Sequence, residues 1–300
     1  MAKAMLAFAI LLVAISLAPA AEPDLPKIRV GLLEGMFRDV PKPILTAMAE
    51  PFRSLMLKQT GLSGDVEVCP NSTCLAGKLK DRSVTVGVFH GFEYAWAKNA
   101  NPNLIPLLVT VPHGRKVQAM ILVSADSELK KPSDLKGMGV VIPKNLKAHG
   151  QLFLDKVRAQ NPAIQIAPNP ATLNAEEAIS AVAGGREKAV ITDIATLNGY
   201  YGLQPGAANQ LRILAESELL PCAVIATEKG TMTEENMDRI RKGLAGASKT
   251  AQGRTMLMMW AIKGFELVPA DYEDQCKKIL ASYPPPLKLE KSTVTIKADK

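Results

Sequence analysis

Short apolar segments rich in β-branched residues alternate with amphipathic helical segments along this 300-residue chain, and this alternation restricts its fold more than any other feature. Strands that alternate with helices are typical of mostly parallel sheets covered by helices on their faces. The chain is therefore predicted to be an α/β protein. In its first part the predicted elements are strand 27–33, helix 43–57, strand 66–68, strand 84–90, helix 92–98 and strand 104–111.

A second block of the same kind follows, after which the chain returns to the first. Its predicted elements are strands 117–123, 139–142, 164–166, 189–192, 211–215 and 222–227, and helices from 149 and 173 and at 234–247, 254–265 and 271–281. A discontinuous lobe 1 (22–112 plus 221–300) that encloses an inserted lobe 2 (118–216) explains this order. The connecting segments near 112–114 and 216–221 are predicted to form a two-segment hinge.

The stretch 131–150 contains one complete strand–loop–helix unit. Residues 139–142 form an apolar run that ends at Pro143, a polar loop follows, and an amphipathic helix begins near His149. A helix that begins just after a buried strand presents unpaired backbone N–H groups to an anion. The alternative interpretation is a plain structural unit without a ligand.

Four segments resemble a known family. They are 133–137 (S-D-L-K-G) before the strand, 90–94 (H-G-F-E-Y), 184–193 (G-G-R-E-K-A-V-I-T-D) and 220–235, which begins L-P-C-A-V. In this order they are similar to the PhnD-like periplasmic phosphonate-binding proteins of ABC importers, over roughly residues 27–282. The resemblance implies a type II periplasmic-binding-protein fold: two lobes, each a mostly parallel sheet flanked by helices, joined by a two-segment hinge.

The N-terminus has the features of a secretory signal peptide. Lys3 precedes an uncharged run at 5–18, and Ala18-Pro19-Ala20 matches an A-x-A cleavage site, so residues 1–20 are predicted to be removed. We expect a periplasmic or secreted protein. Loss of Lys3 would lower the formal net charge from +7 to +6. Because the basic residues are scattered, nucleic acid is not an expected partner, whereas a small anionic ligand is.

The four cysteines can form disulfides in an oxidising compartment. Cys69 and Cys74 are close in sequence, and under the family layout Cys222 and Cys276 both fall in lobe 1. The favoured pairs are 69–74 and 222–276, although four cysteines allow three connectivities. Buried free thiols at Cys222 and Cys276 are the alternative. Zinc is the weaker interpretation since no paired C-x-x-C clusters occur, and no metal or cofactor is expected.

The ligand candidates in lobe 1 follow the third predicted strand. Gly91 would permit close backbone approach, and Tyr94 stands where the resemblance places a ligand-contacting tyrosine. His90 precedes them. The alternatives are packing for Tyr94 and an ordinary strand-end histidine for His90. Phe37 and Arg38, after the first strand, are a further candidate.

The ligand candidates in lobe 2 are Lys147, His149 and Gly150 at the helix start, together with Asp193. Here the chain departs from phosphonate-binding members, which carry a run of Ser and Thr before the glycine. Lys147 or His149 could supply charge in place of those hydroxyls. Asp193, flanked by Thr192 and Thr196, could accept a bond from a ligand amine or protonated oxygen, or it could simply cap the following helix.

These features predict a monomeric solute-binding protein that captures a phosphonate-like or phosphite-like oxyanion and delivers it to an ABC permease. A sensory domain of a membrane receptor would share this ligand chemistry and differ in its partner. An enzyme is disfavoured, because no nucleophile elbow, H-E-x-x-H motif or P-loop occurs. A His149–Asp193 acid–base pair is the one catalytic arrangement that the sequence suggests.

Overall fold

Two mixed β-sheets, each covered by helices on both faces, form the fold. A computed structural model describes residues 27–37, 52–167 and 173–286. The first sheet has strand order β11-β4-β10-β3-β1-β2. β1 pairs in parallel with β2 and β3, whereas β10 and β11 run antiparallel to their neighbours. Its strands are β1 (Lys27–Leu33), β2 (Ser63–Cys69), β3 (Val86–Phe89), β4 (Leu104–Pro112), β10 (Val224–Glu228) and β11 (Ile262–Leu267).

The second sheet has strand order β7-β6-β8-β5-β9. β6 pairs in parallel with β7 and β8, and β5 runs antiparallel to both β8 and β9. We call the layers around the first and second sheets lobe 1 and lobe 2. The strands of lobe 2 are β5 (Ala119–Ser124), β6 (Gly139–Val141), β7 (Gln165–Ile166), β8 (Ala189–Asp193) and β9 (Leu211–Glu216).

Apolar helix faces cover both sides of each sheet. In lobe 1, α1, α7 and α8 pack on one face and α2, α3 and α9 on the other. In lobe 2, α4 packs on one face and α5 and α6 on the other. Each lobe therefore has its own core. The helices are α1 (52–60), α2 (Ser72–Lys80), α3 (Gly91–Ala100), α4 (Ala148–Gln160), α5 (Ala175–Ala183), α6 (Ile194–Leu203), α7 (Glu234–Ala245), α8 (Ala251–Met259) and α9 (Tyr272–Ser282).

Two chain segments connect the lobes side by side. Residues 113–118 lead from β4 to β5, and residues 217–223 lead from β9 to β10. They pair with each other through an antiparallel bridge between Val117 and Leu220. β5 is thus the first strand of the inserted lobe and β9 is its last. The predicted lobe boundaries stay predictions.

The structure corrects two local predictions. The helix predicted at 254–265 ends early, because Ala261 adopts a left-handed φ of 52° after α8. Residues Ile262–Leu267 then form β11, which pairs with β4 at the edge of the sheet. α2 was not predicted; Asn71 caps it by accepting a hydrogen bond from the Cys74 N–H. The prediction for residues 43–51, the signal peptide and the tail after 286 lie outside the described residues.

In the part of the chain that the structure describes, no helix is long and apolar enough to cross a bilayer.

Candidate functional site

The N-terminus of α4 forms one wall of the candidate site. Lys147 is its N-cap residue, with extended backbone (φ −69°, ψ 155°), and it follows the short loop after β6. Helix geometry leaves the N–H groups of the first residues, Ala148 and His149, without intrahelical acceptors. Together with the helix dipole they favour a bound anion.

Asp193, at the end of β8, lies beside this helix start. It caps α6: the backbone N–H groups of Ala195 and Thr196 donate to Oδ1 at 3.0 and 3.1 Å, and the Thr196 hydroxyl donates to Oδ2 at 2.8 Å. Lys147 Nζ lies 3.2 Å from Oδ1. Asp193 therefore has the capping role that the sequence suggested, and the ion pair with Lys147 joins β8 to α4.

His149 is buried next to this ion pair and has an unused ring nitrogen. Its side chain is 10% exposed, and Nε2 lies 4.0 Å from Asp193 Oδ2, which is too long for a hydrogen bond. Among the described residues Nε2 has no hydrogen-bond partner. A buried ring nitrogen without a partner is costly, so this atom is a natural contact for a ligand oxygen.

Burial and charge set the protonation states of this pair. Burial is the main reason that the pKa of His149 falls to about 4; Asp193 opposes the fall, while Lys147 and His90 add to it. Burial by itself would raise the pKa of Asp193, but Lys147 and the bonds from Thr196 outweigh it, so this pKa lies below its ordinary value. At neutral pH the site therefore holds a neutral imidazole, an ionised carboxylate and an ammonium group.

Lobe 1 contributes His90, the N-cap residue of α3. Its Nδ1 lies 2.5 Å from Glu93 Oε2, and its ring stacks on Phe92 with centroids 5.4 Å apart. Ala148, the first residue of α4, packs against the cluster that contains Phe92 of α3. The N-termini of α3 and α4 thus converge, and the structure brings His90, Lys147, His149 and Asp193 together.

Gly91, Gly150 and Tyr94 have packing roles in the structure. A Cβ on Gly91 would lie 2.1 Å from the Pro221 carbonyl oxygen, and one on Gly150 would lie 2.4 Å from Leu146 Cδ1. Tyr94 is fully buried in the core of lobe 1, 6.0 Å from the ring of Tyr272. Burial raises the pKa of Tyr94. A ligand contact at these three positions stays a prediction.

Sequence reasoning missed Glu93 as part of this site. Its carboxylate orients the His90 ring from one helical turn away. The signal was available, because residues at i and i+3 of a helix lie on the same face. Arg38 lies outside the described residues, and Phe37 is the last residue of a short 3-10 helix, Glu34–Phe37, after β1.

A cavity of about 660 Å³ lies at the connecting segments, away from this site. Its lining includes Val117, Glu218, Leu220, Cys222 and Tyr272, and none of the predicted ligand residues. His149 Nε2 is one of the buried polar side-chain atoms that lack a hydrogen-bond partner among the described residues, and it lies at the N-terminus of α4. We therefore place the candidate ligand site at the converging helix N-termini.

The four cysteines are free thiols in the structure. Burial and a hydrogen bond with Cys74 raise the pKa of Cys69 to about 12, so these two side chains are in contact. Cys276 lies in the core of lobe 1 with Cys222 packed at its edge. The disulfide pairs 69–74 and 222–276 stay predictions. Within residues 27–37, 52–167 and 173–286, no group of three or more Cys, His, Asp or Glu side chains is arranged to hold a metal ion.

Solved structures of binding proteins share this architecture. A Xanthomonas citri protein bound to ATP superposes with a TM-score of 0.61 at 14% identity, covering 86% of this chain and 96% of that one. PhnD1 from Prochlorococcus marinus, in complex with methylphosphonate, gives 0.58 at 13% identity, covering 85% and 97%. The binding component of an ABC phosphonate transporter from Pseudomonas aeruginosa gives 0.56 at 17% identity, covering 86% and 87%. No curated protein matches the sequence significantly.

The fold is thus that of the type II periplasmic solute-binding proteins, which confirms the predicted fold class. The sheets are mixed and not mostly parallel as predicted, because β10 and β5 run antiparallel to both of their neighbours. Residues 35–274 match the model of the family described as ABC transporter, phosphonate, periplasmic substrate-binding protein. The chain belongs to this family, and its role is solute binding. The predicted family resemblance is confirmed.

Proposed function

We propose that this protein captures a small phosphonate-like or phosphite-like oxyanion between its lobes in the periplasm and delivers it to an ABC permease. The observation that carries this proposal is the buried Nε2 of His149, which has no hydrogen-bond partner among the described residues and lies at the N-terminus of α4, where Ala148 packs against Phe92 and its neighbours in lobe 1. Lys147 supplies the positive charge, and the first N–H groups of α4 supply donors. The neutral His149 ring can donate through Nε2 without carrying charge.

The charge of Asp193 also restricts which anions can bind at the proposed site. Its carboxylate is buried and ionised, so a fully deprotonated dianion placed against it would be repelled. A monoanion with one protonated oxygen, or a zwitterion with an ammonium group, can instead donate a hydrogen bond to Asp193. The proposed site therefore favours ligands that carry both a donor and an anionic group.

A binding role fits the geometry better than a catalytic one. The separation of 4.0 Å between His149 Nε2 and Asp193 Oδ2 leaves the proposed acid–base pair without a hydrogen bond. Asp193 Oδ1 instead accepts the backbone bonds that cap α6 and the bond from Lys147, whereas Oδ2 accepts from the Thr196 hydroxyl. We propose a monomeric carrier that needs no cofactor and closes by rotation about its two connecting segments, with its signal peptide removed on export.

Thermal unfolding of the purified mature protein tests this function. The panel contains methylphosphonate, aminoethylphosphonate, phosphite, phosphate, sulfate and ATP, the last because a structural neighbour binds it. A ligand at a hundred times its Kd stabilises by about 2.7 kcal/mol, which raises the Tm by roughly 5 °C. Lys147→Met should remove the shift, whereas Lys144→Met, an exposed lysine of the same loop, should keep it. No shift with any anion would refute the proposal.

A further inference from the structure

One stripe of α4 faces lobe 1 rather than its own lobe. Ala148, Leu152 and Lys156 are spaced four residues apart and so lie on one side of the helix. Ala148 and Leu152 pack against a buried cluster that includes residues of α3, a connecting segment and the end of α9. We call this set the interlobe cluster: Phe92, Trp96, Val117, Ala148, Leu152, Leu220, Ile279 and Tyr283.

A polar network closes the edge of the interlobe cluster at Lys156. Lys156 Nζ donates to Glu218 Oε1 at 2.5 Å and lies 4.4 Å from the centre of the Tyr283 ring. The Tyr283 hydroxyl donates to Glu218 Oε2 at 2.7 Å, and Trp96 Nε1 donates to the Tyr283 carbonyl at 2.8 Å. Both carboxylate oxygens of Glu218 are thus used, one by each lobe.

The members of this network come from three different parts of the chain. Lys156 belongs to lobe 2, Tyr283 follows α9 in lobe 1, and Glu218 lies on a connecting segment. Burial acts to raise the pKa of Glu218, but the bonds from Lys156 and Tyr283 lower it to about 2. The carboxylate is therefore ionised over the physiological pH range.

The helices that meet here also carry the ligand site. Lys156 and His149 lie on α4. Trp96 lies on α3, and His90 is the N-cap residue of that helix. Because α-helices are stiff over such lengths, the packing at Lys156 and Trp96 fixes the separation of the two helix N-termini, roughly 10 Å away. A change in the angle between the lobes would separate His90 from His149.

We infer that Lys156, Glu218 and Tyr283 form an interlobe clamp that holds the lobes in the orientation seen in the structure and so positions the ligand site. This inference rests on the proposed function. The clamp lies roughly 10 Å along α4 from the proposed ligand site. Its residues act by setting the population of this orientation of the lobes, and hence the apparent affinity.

The expected effect is modest, because the clamp is partly solvated. The side chains of Lys156 and Glu218 are 25% and 46% exposed, and ion pairs of this kind contribute little. Breaking the clamp should weaken ligand binding by about two- to five-fold. Lys78 and Glu67 make a matched control pair inside lobe 1, with side chains 32% and 40% exposed.

The test compares Lys156→Met and Glu218→Gln with Lys78→Met and Glu67→Gln. All four are made in a Trp260→Phe background, which leaves Trp96 as the single tryptophan of the chain. Its emission without ligand reports how far the interlobe cluster is exposed to water. The second readout is the Kd for methylphosphonate, or for whichever anion of the panel stabilises the parent protein.

The two clamp variants should shift the Trp96 emission to longer wavelength and raise the Kd by about two- to five-fold, and the two control variants should change neither. Clamp variants with unchanged emission and Kd would overturn the inference. Equal changes in the control pair would also overturn it, since the effect would then be general destabilisation. If the parent protein binds none of the anions, the proposed function fails, yet the emission readout still decides the clamp.

Discussion

Two replacements of Asp193, by Ala and by Asn, distinguish the effect of its helix cap from the effect of its charge. Asp193→Ala removes a helix cap, worth about 1 kcal/mol, and the bond from the Thr196 hydroxyl, worth about 1 kcal/mol. We expect the free energy of unfolding to fall by about 2 kcal/mol and the Tm by roughly 4–8 °C. Asp193→Asn keeps an oxygen that can cap α6 but removes the charge, so its cost should be below about 1 kcal/mol.

Urea unfolding and ligand titration together give the assay for Asp193. The two variants should differ in stability but lose affinity alike, because both lack the carboxylate that accepts the ligand's hydrogen bond. Asp155→Asn, on the exposed side of α4, is the control and should change neither. An Asn variant as unstable as the Ala variant would refute the capping account. An Asn variant with wild-type affinity for every ligand would refute a ligand contact by Asp193.

Three further predictions concern packing, pH and oxidation. Gly91→Ala should destabilise by about 1–3 kcal/mol because its Cβ would overlap the Pro221 carbonyl, whereas Gly199→Ala, with open space around it in α6, should stabilise by up to about 1 kcal/mol in urea unfolding. As the pH falls from 6.5 to 4, His149 becomes protonated in the unfolded chain but stays neutral in the folded protein. The free energy of unfolding of the wild type should therefore fall more steeply than that of His149→Gln, by about 1.4 kcal/mol per pH unit. Oxidation should join Cys69 to Cys74, as seen by peptide mass spectrometry.

Each of these predictions has a clear contrary result. Equal stabilities of the two glycine variants would contradict the close contact at Gly91. Identical pH profiles of the wild type and His149→Gln would show that His149 is not held neutral by burial. Peptides that link either Cys69 or Cys74 to another cysteine would exclude the local pair.

Periodicity predicted most strands and helices, because burial on one face leaves a period of two or 3.6 in the sequence. It failed where local conformation was decided by one residue. The left-handed backbone of Ala261 ended α8 and allowed β11 to pair with β4, a contact between distant parts of the chain. α2 depended on the cap at Asn71, in a stretch for which the sequence analysis predicted no helix.

The sequence by itself determined the family, the strand–loop–helix unit whose helix begins near His149, and the charged residues near that helix start. Tertiary structure decided which of those residues meet. Tyr94 and Gly91 belong to α3, the helix whose N-cap residue is His90. Tyr94 is nevertheless buried in the core of lobe 1, and Gly91 packs against the Pro221 backbone. His149, Asp193 and His90 come together because the strands and helices of two separate lobes converge there, and no local pattern encodes that distance.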